Sequence, residues 1–100
     1  MTAAELWLRG RGEGVPPALL RSMLEALPAE EGFVPEALAG AALTLYAQVA
    51  RGTGDRTDAL PLLAADALFT HAFEAQAEID PLGIDALVVR CEHDLGEIGR

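Results

Sequence analysis

A chain of 100 residues, 51% apolar and 23% charged, is long enough for one hydrophobic core and too apolar to remain disordered. Its net charge of −9, carried by 16 acidic residues against seven arginines and no lysine, excludes nucleic acid and anionic membrane as partners, because both require a basic surface. Alanine and leucine dominate, β-branched residues are scarce and aromatics make up only 5%, a mixture that favours helix over sheet.

Caps and breakers divide the chain. Thr2 and Glu5 have the spacing of a capping box, which predicts a short helix over about 3–9 carrying Leu6, Trp7 and Leu8. The glycines of GRGEG (Gly10 to Gly14) end it. Pro16 and Pro17 suit the first positions of a second helix over about 16–27, with Leu19, Leu20, Met23, Leu24 and Leu27 on one face. A third helix is expected over about 35–51. Leu38, Ala42, Leu45, Tyr46 and Val49 form its inner stripe, and Gly40, Thr44, Gln48 and Arg51 its outer one.

After the loop RGTGDR, Asp58 is the expected N-cap of a fourth helix over about 58–79, with Pro61 in its first turn. Asp80-Pro81 repeats the device and opens a last helix over about 81–98. Its apolar stripe is Ile84, Leu87, Val88, Cys91, Leu95 and Ile98, which leaves Val89 outside. The expected architecture is a single all-α domain over residues 1–100, a compact four-helix bundle with a short additional N-terminal helix.

The fourth helix contains the most informative stretch, LLAADALFTHAFEAQAE (Leu62 to Glu78). Taken at 100° per residue, Leu62, Ala65, Leu68, Phe69, Ala72, Phe73, Ala75 and Ile79 cover about half its circumference. It should therefore be central. The other arc holds Asp66, Thr70, Glu74 and Glu78, with His71 at its border. His71, Glu74 and Glu78 are spaced i, i+3, i+7, so their side chains can approach one another, and an imidazole with two carboxylates could suit a divalent metal. Carboxylate-bundle metal sites use Glu-x-x-His pairs from facing helices. Here the order is His-x-x-Glu, and the predominant expectation is a solvated face with a local His–Glu pair. Asp66 lies at the boundary beside Leu62 and Phe73, where a carboxylate usually finds a partner. Arg21, Arg51 and Arg90 are the candidates.

LLAADALFTHAFE (Leu62 to Glu74) resembles the helix that reads roughly LAGDALLALAFE in trans-isoprenyl diphosphate synthases. Asp66, Ala67 and Leu68 match its Gly-Asp-Ala-Leu, with Ala65 in place of the glycine, and Phe73-Glu74 match its Phe-Glu. The resemblance implies an all-helical fold, and with it an apolar pocket beside Phe69 and Phe73 with Asp66 at its mouth. The family's Asp-Asp-x-x-Asp metal motifs are absent, and the chain is too short to enclose a prenyl chamber. Prenyl transfer and its catalytic residues are accordingly not carried over.

Other chemistry is sparse. Cys91 is the only cysteine, sits on an apolar stripe and is separated by helix geometry from His93. GRGEG lacks the preceding strand and the lysine of a phosphate-binding loop. In RCEHDLGEIGR, Arg90 can pair with Asp94 at i+4. No catalytic residue and no cofactor are expected. The N-terminus MTAAELWLRG lacks a basic leader and a long apolar run, which places the expected location in the cytoplasm. The leading functional expectation is a non-enzymatic protein–protein interaction or oligomerisation module. A homodimer could cover Val89 and the apolar side chains of the first helix. An apolar small-molecule binder and a His/Glu metal protein are the alternatives.

Overall fold

In a computed structural model that describes residues 1–98, the chain forms α1 (Ala3–Arg9), α2 (Pro17–Ala26), α3 (Val34–Ala50), α4 (Ala59–Ile79) and α5 (Ile84–Ile98). The 3-10 turns Arg56–Asp58 and Pro81–Gly83 lead into α4 and α5. No strand occurs among the described residues.

The helix starts follow local chemistry. Thr2 Oγ1 accepts from the Glu5 backbone N–H at 3.2 Å, as a threonine N-cap should. The reciprocal half of the capping box is not made, because Glu5 turns along the helix to Arg9 at 3.1 Å. A residue distant in sequence helps satisfy the helix start. Both carboxylate oxygens of Glu31 accept from the Ala3 N–H, at 3.0 and 2.9 Å, at one of the donors a helix start leaves orphaned. Asp80 has extended backbone and accepts from the Leu82 N–H at 3.1 Å.

Asp58 departs from expectation. It already has right-handed helical backbone and makes no cap bond with its side chain, because the 3-10 turn begins the helical path two residues earlier, at Arg56. The capping role falls to Asp55, whose carboxylate accepts from the Thr57 N–H at 2.9 Å and the Thr57 hydroxyl at 2.6 Å. The Asp58 carboxylate instead closes the preceding loop, accepting from the Gly54 N–H at 2.8 Å. Gly54 has φ +76°, a region that favours glycine. A Cβ on Gly52 would lie only 2.4 Å from Asp58 Oδ1.

Hydrogen bonds from Thr57, then Thr53, hold the Asp55 carboxyl below its ordinary value of 3.8. A depressed folded-state pKa contributes stability above the unfolded value, and that contribution is lost as pH falls through the folded one. An acid titration followed by NMR should therefore place the Asp55 midpoint below 3.8. Thr57→Ala should move it upward, and an unchanged midpoint would contradict the assignment.

α3 and α4 make the most extensive helix–helix contact, and their shared seam is the core. Leu38 and Ala42 from α3 meet Ala64, Ala65, Leu68, Ala72 and Ala75 from α4, all essentially inaccessible to water. Alanine on both sides lets the backbones approach closely, and Leu38 and Leu68 fill the remaining volume. α2 packs on α4 and, less extensively, on α3, α1 reaches α3, and α5 rests on α3 with lighter contact to α4.

Three expected inner positions are corrected. Leu62, Ile79 and Tyr46 are exposed. α4 has 21 residues and α3 has 17, so Leu62 and Ile79, in α4's end turns, overrun the seam. Tyr46 lies just beyond the edge of α3's buried arc, between buried Leu45 and half-buried Ala47. The buried arc of α4 instead takes in Gln76, only 5% exposed, whose Nε2 donates to the Asp80 carbonyl at 2.7 Å. Gln76 thereby satisfies a backbone acceptor at the α4–α5 corner. Gly83 leaves it room, since a Cβ there would approach Nε2 to 2.5 Å. Among the described residues, no helix is long and apolar enough to cross a membrane.

Candidate functional site

The polar arc of α4 separates into two parts. Asp66 is exposed, and its carboxylate forms no ion pair among the described residues. Arg90, expected to pair with Asp66 or Asp94, instead bonds Glu36 across the α3–α5 seam at 2.8 Å. Only the backbone carbonyl of Asp66 is engaged, accepting from the Thr70 hydroxyl at 3.1 Å. The expected boundary ion pair is thus not formed. The reason is rotational: the buried arc takes in Ala64, on the side away from Asp66, and Asp66 turns out to solvent. Phe69 and Phe73 are partly buried and packed against the core. Five surface clefts of about 40 to 480 Å³ are lined by other residues.

The second part, His71, Glu74 and Glu78, meets residues of α1 and the GRGEG segment that periodicity does not reveal. The Trp7 indole N–H donates to Glu78 Oε2 at 3.2 Å. Arg11 reaches the other oxygen of the same carboxylate, and its guanidinium carbon lies 3.8 Å from the Trp7 ring centroid. His71 meets that ring edge-on, with centroids 5.5 Å apart and planes at 73°. Indole, guanidinium and imidazole thus converge where the N-terminal helix meets α4. A cation over tryptophan contributes about 0.5–2 kcal/mol. The Arg11–Glu78 pair is partly solvated and contributes less than its contact distance suggests.

His71 is mostly buried, and its Nδ1 has no hydrogen-bond partner. Glu74 Oε1 is 3.7 Å away, too far for a hydrogen bond and an ion pair only when the imidazole is protonated. Glu78 is directed to Arg11 and Trp7 instead. The three suggested metal ligands therefore do not converge. Among the described residues, no group of three or more His, Cys, Asp or Glu side chains is placed to hold a metal ion. The Trp7 and Arg11 donors of this cluster turn onto one carboxylate and attach α1 to α4.

Cys91 is buried, and burial raises its thiol pKa, reinforced by Asp94 and opposed in part by Arg90. A buried thiol held protonated is a poor nucleophile. Native protein at neutral pH should react with a thiol reagent about tenfold or more slowly than unfolded protein. Equal rates would show Cys91 to be accessible.

Exposed apolar side chains form the other notable surface. Leu82, in the turn before α5, is 91% exposed and Val89 65%, with Ala86 between them in sequence and also exposed. A cleft of about 290 Å³ beside this stripe is bordered by Phe33, Ala86, Glu36, Asp80 and Arg90. The departure of Val89 from the buried stripe was visible in sequence. Leu82 was not, because its Pro81–Gly83 turn precedes the regular helix. Comparison with protein-family models, curated proteins and solved structures gives no match.

Proposed function

We propose that this chain is a non-enzymatic protein–protein interaction module whose contact surface is the outer side of α5. One observation carries the reading: two large aliphatic side chains on one side, Leu82 in the turn that leads into α5 and Val89 on α5 itself, are 91% and 65% exposed. Isolated exposed leucines are ordinary, but an aligned apolar stripe edged by charged residues is the usual form of a recognition surface. α2 to α5 form a four-helix bundle in this reading, with α5 the outermost member and one side left for a partner. A cytoplasmic setting belongs to the same reading.

The test is a photo-crosslinking residue placed at Val89 in the full chain and, as control, at Gln48, which is exposed on α3. Irradiation in the producing cell should give a discrete protein adduct from position 89 and none from position 48. No adduct from position 89, or the same products from both positions, would overturn the proposal.

A further inference from the structure

We infer that the partner of this surface is a second copy of the chain, docked antiparallel through α5 about a two-fold axis at Val89; this rests on the interaction-module reading above. The inference comes from how the exposed side of α5 is arranged around that residue. Leu82, in the 3-10 turn that runs into α5, lies seven residues before Val89, and Gly96 lies seven after. Asp85 and His93 lie four before and four after. When two identical helices pair antiparallel with Val89 at the centre, each residue before it meets the one equally far after it on the other copy.

The pairs that result are complementary. Leu82, the most exposed large side chain, falls on Gly96 of the second copy, where even a Cβ would find no atom within 4 Å. The leucine thus meets an exposed position with no side chain to oppose it, and the same contact recurs on the other side of the axis. Asp85, an acceptor, falls beside His93, a donor from its ring N–H. Both are exposed, and the pair also occurs twice. Val89 meets its own symmetry mate. An interface confined to one helix per copy is at the small end of specific contacts, so the dimer is weak and concentration-dependent. Each copy carries −9, so added salt strengthens the association by screening repulsion.

Charge exchange tests the register, with self-association measured by sedimentation and helicity by circular dichroism. Asp85→Lys alone places lysine opposite His93, and His93→Asp alone places aspartate opposite Asp85. Each should weaken dimerisation about tenfold, although Asp85→Lys makes the chain less negative. The double variant restores the pair and should recover the original affinity. In a Cys91→Ala background, Val89→Cys should form an intermolecular disulfide on mild oxidation and Gln48→Cys should not. Helix axes about 8–10 Å apart bring residues on the axis within disulfide range. A chain that stays monomeric at all concentrations, or a double variant no better than either single one, overturns the pairing. If position 89 crosslinks only to a different protein, self-pairing falls while the interaction-module reading stands.

Discussion

Leu68→Ala should lower the unfolding free energy by about 2–5 kcal/mol, toward the upper end of that range. Leu68 is fully buried at the α3–α4 seam, and what surrounds it determines how much the site can relax. Its buried neighbours along α4 are Ala64, Ala65, Ala72 and Ala75, and α3 contributes Ala42. Alanine has no rotamer with which to fill a void, and backbones already in close approach cannot move nearer. The cavity therefore persists, and cavity volume adds to the transfer cost. With total stabilities of about 5–15 kcal/mol for small domains, one substitution removes a large share. Urea unfolding followed by far-ultraviolet circular dichroism measures it. The comparison is Leu63→Ala, at an exposed position of the same helix, expected within about 0.5 kcal/mol of the parent. A loss below about 1 kcal/mol at Leu68 would mean that the seam repacks and that α4 is not the rigid centre of the fold.

The centrality of α4 was legible in the sequence, and the reason is general. An apolar arc of half the circumference can be buried only between neighbours on more than one side, and α4 does pack on α3, α2 and α5. Helix starts marked by Thr2, Pro17 and Asp80 were equally legible, because their chemistry is local. What failed required distant or finer information. A helical wheel of alanines has nearly constant hydrophobicity around the arc, so its orientation was uncertain by about one residue. That margin hid Ala64, the polar side chain of Gln76 hid its burial, and Leu62 and Ile79 fall in end turns that overrun the seam. Asp58 and Asp55 both satisfy the cap preference, and only the 3-10 turn chooses between them. The partners of Glu78 lie 67 and 71 residues away, a separation that no periodicity encodes. The spacing i, i+3, i+7 correctly brought His71 toward Glu74 but could not anticipate that an arginine and a tryptophan would take Glu78.

That cluster leads to the second large effect, since α1 has only seven residues. A helix this short has no independent stability in water, so its order depends on what it docks against. Leu8 is buried and anchors one side. Trp7 joins α1 to α4 through its hydrogen bond to Glu78 and its contacts with Arg11 and His71. Trp7→Ala should cost about 2–3 kcal/mol, somewhat below the value for a fully buried tryptophan. It should also abolish amide-exchange protection over Ala3–Arg9 while leaving α3 and α4 protected, because Trp7 is only partly buried against a core that α3 and α4 mostly supply. The polar members should matter less. Glu78 is about half exposed, so Glu78→Gln, which keeps an acceptor for the indole, should cost no more than about 1 kcal/mol. Leu6→Ala, at an exposed position, should be close to neutral. This ranking distinguishes two ways of holding a terminal helix. If Glu78→Gln released α1 as completely as Trp7→Ala, the attachment would be electrostatic and would weaken with salt. If Trp7→Ala dominates and salt has little effect, the indole's contact area is the anchor, and the carboxylate and guanidinium orient it.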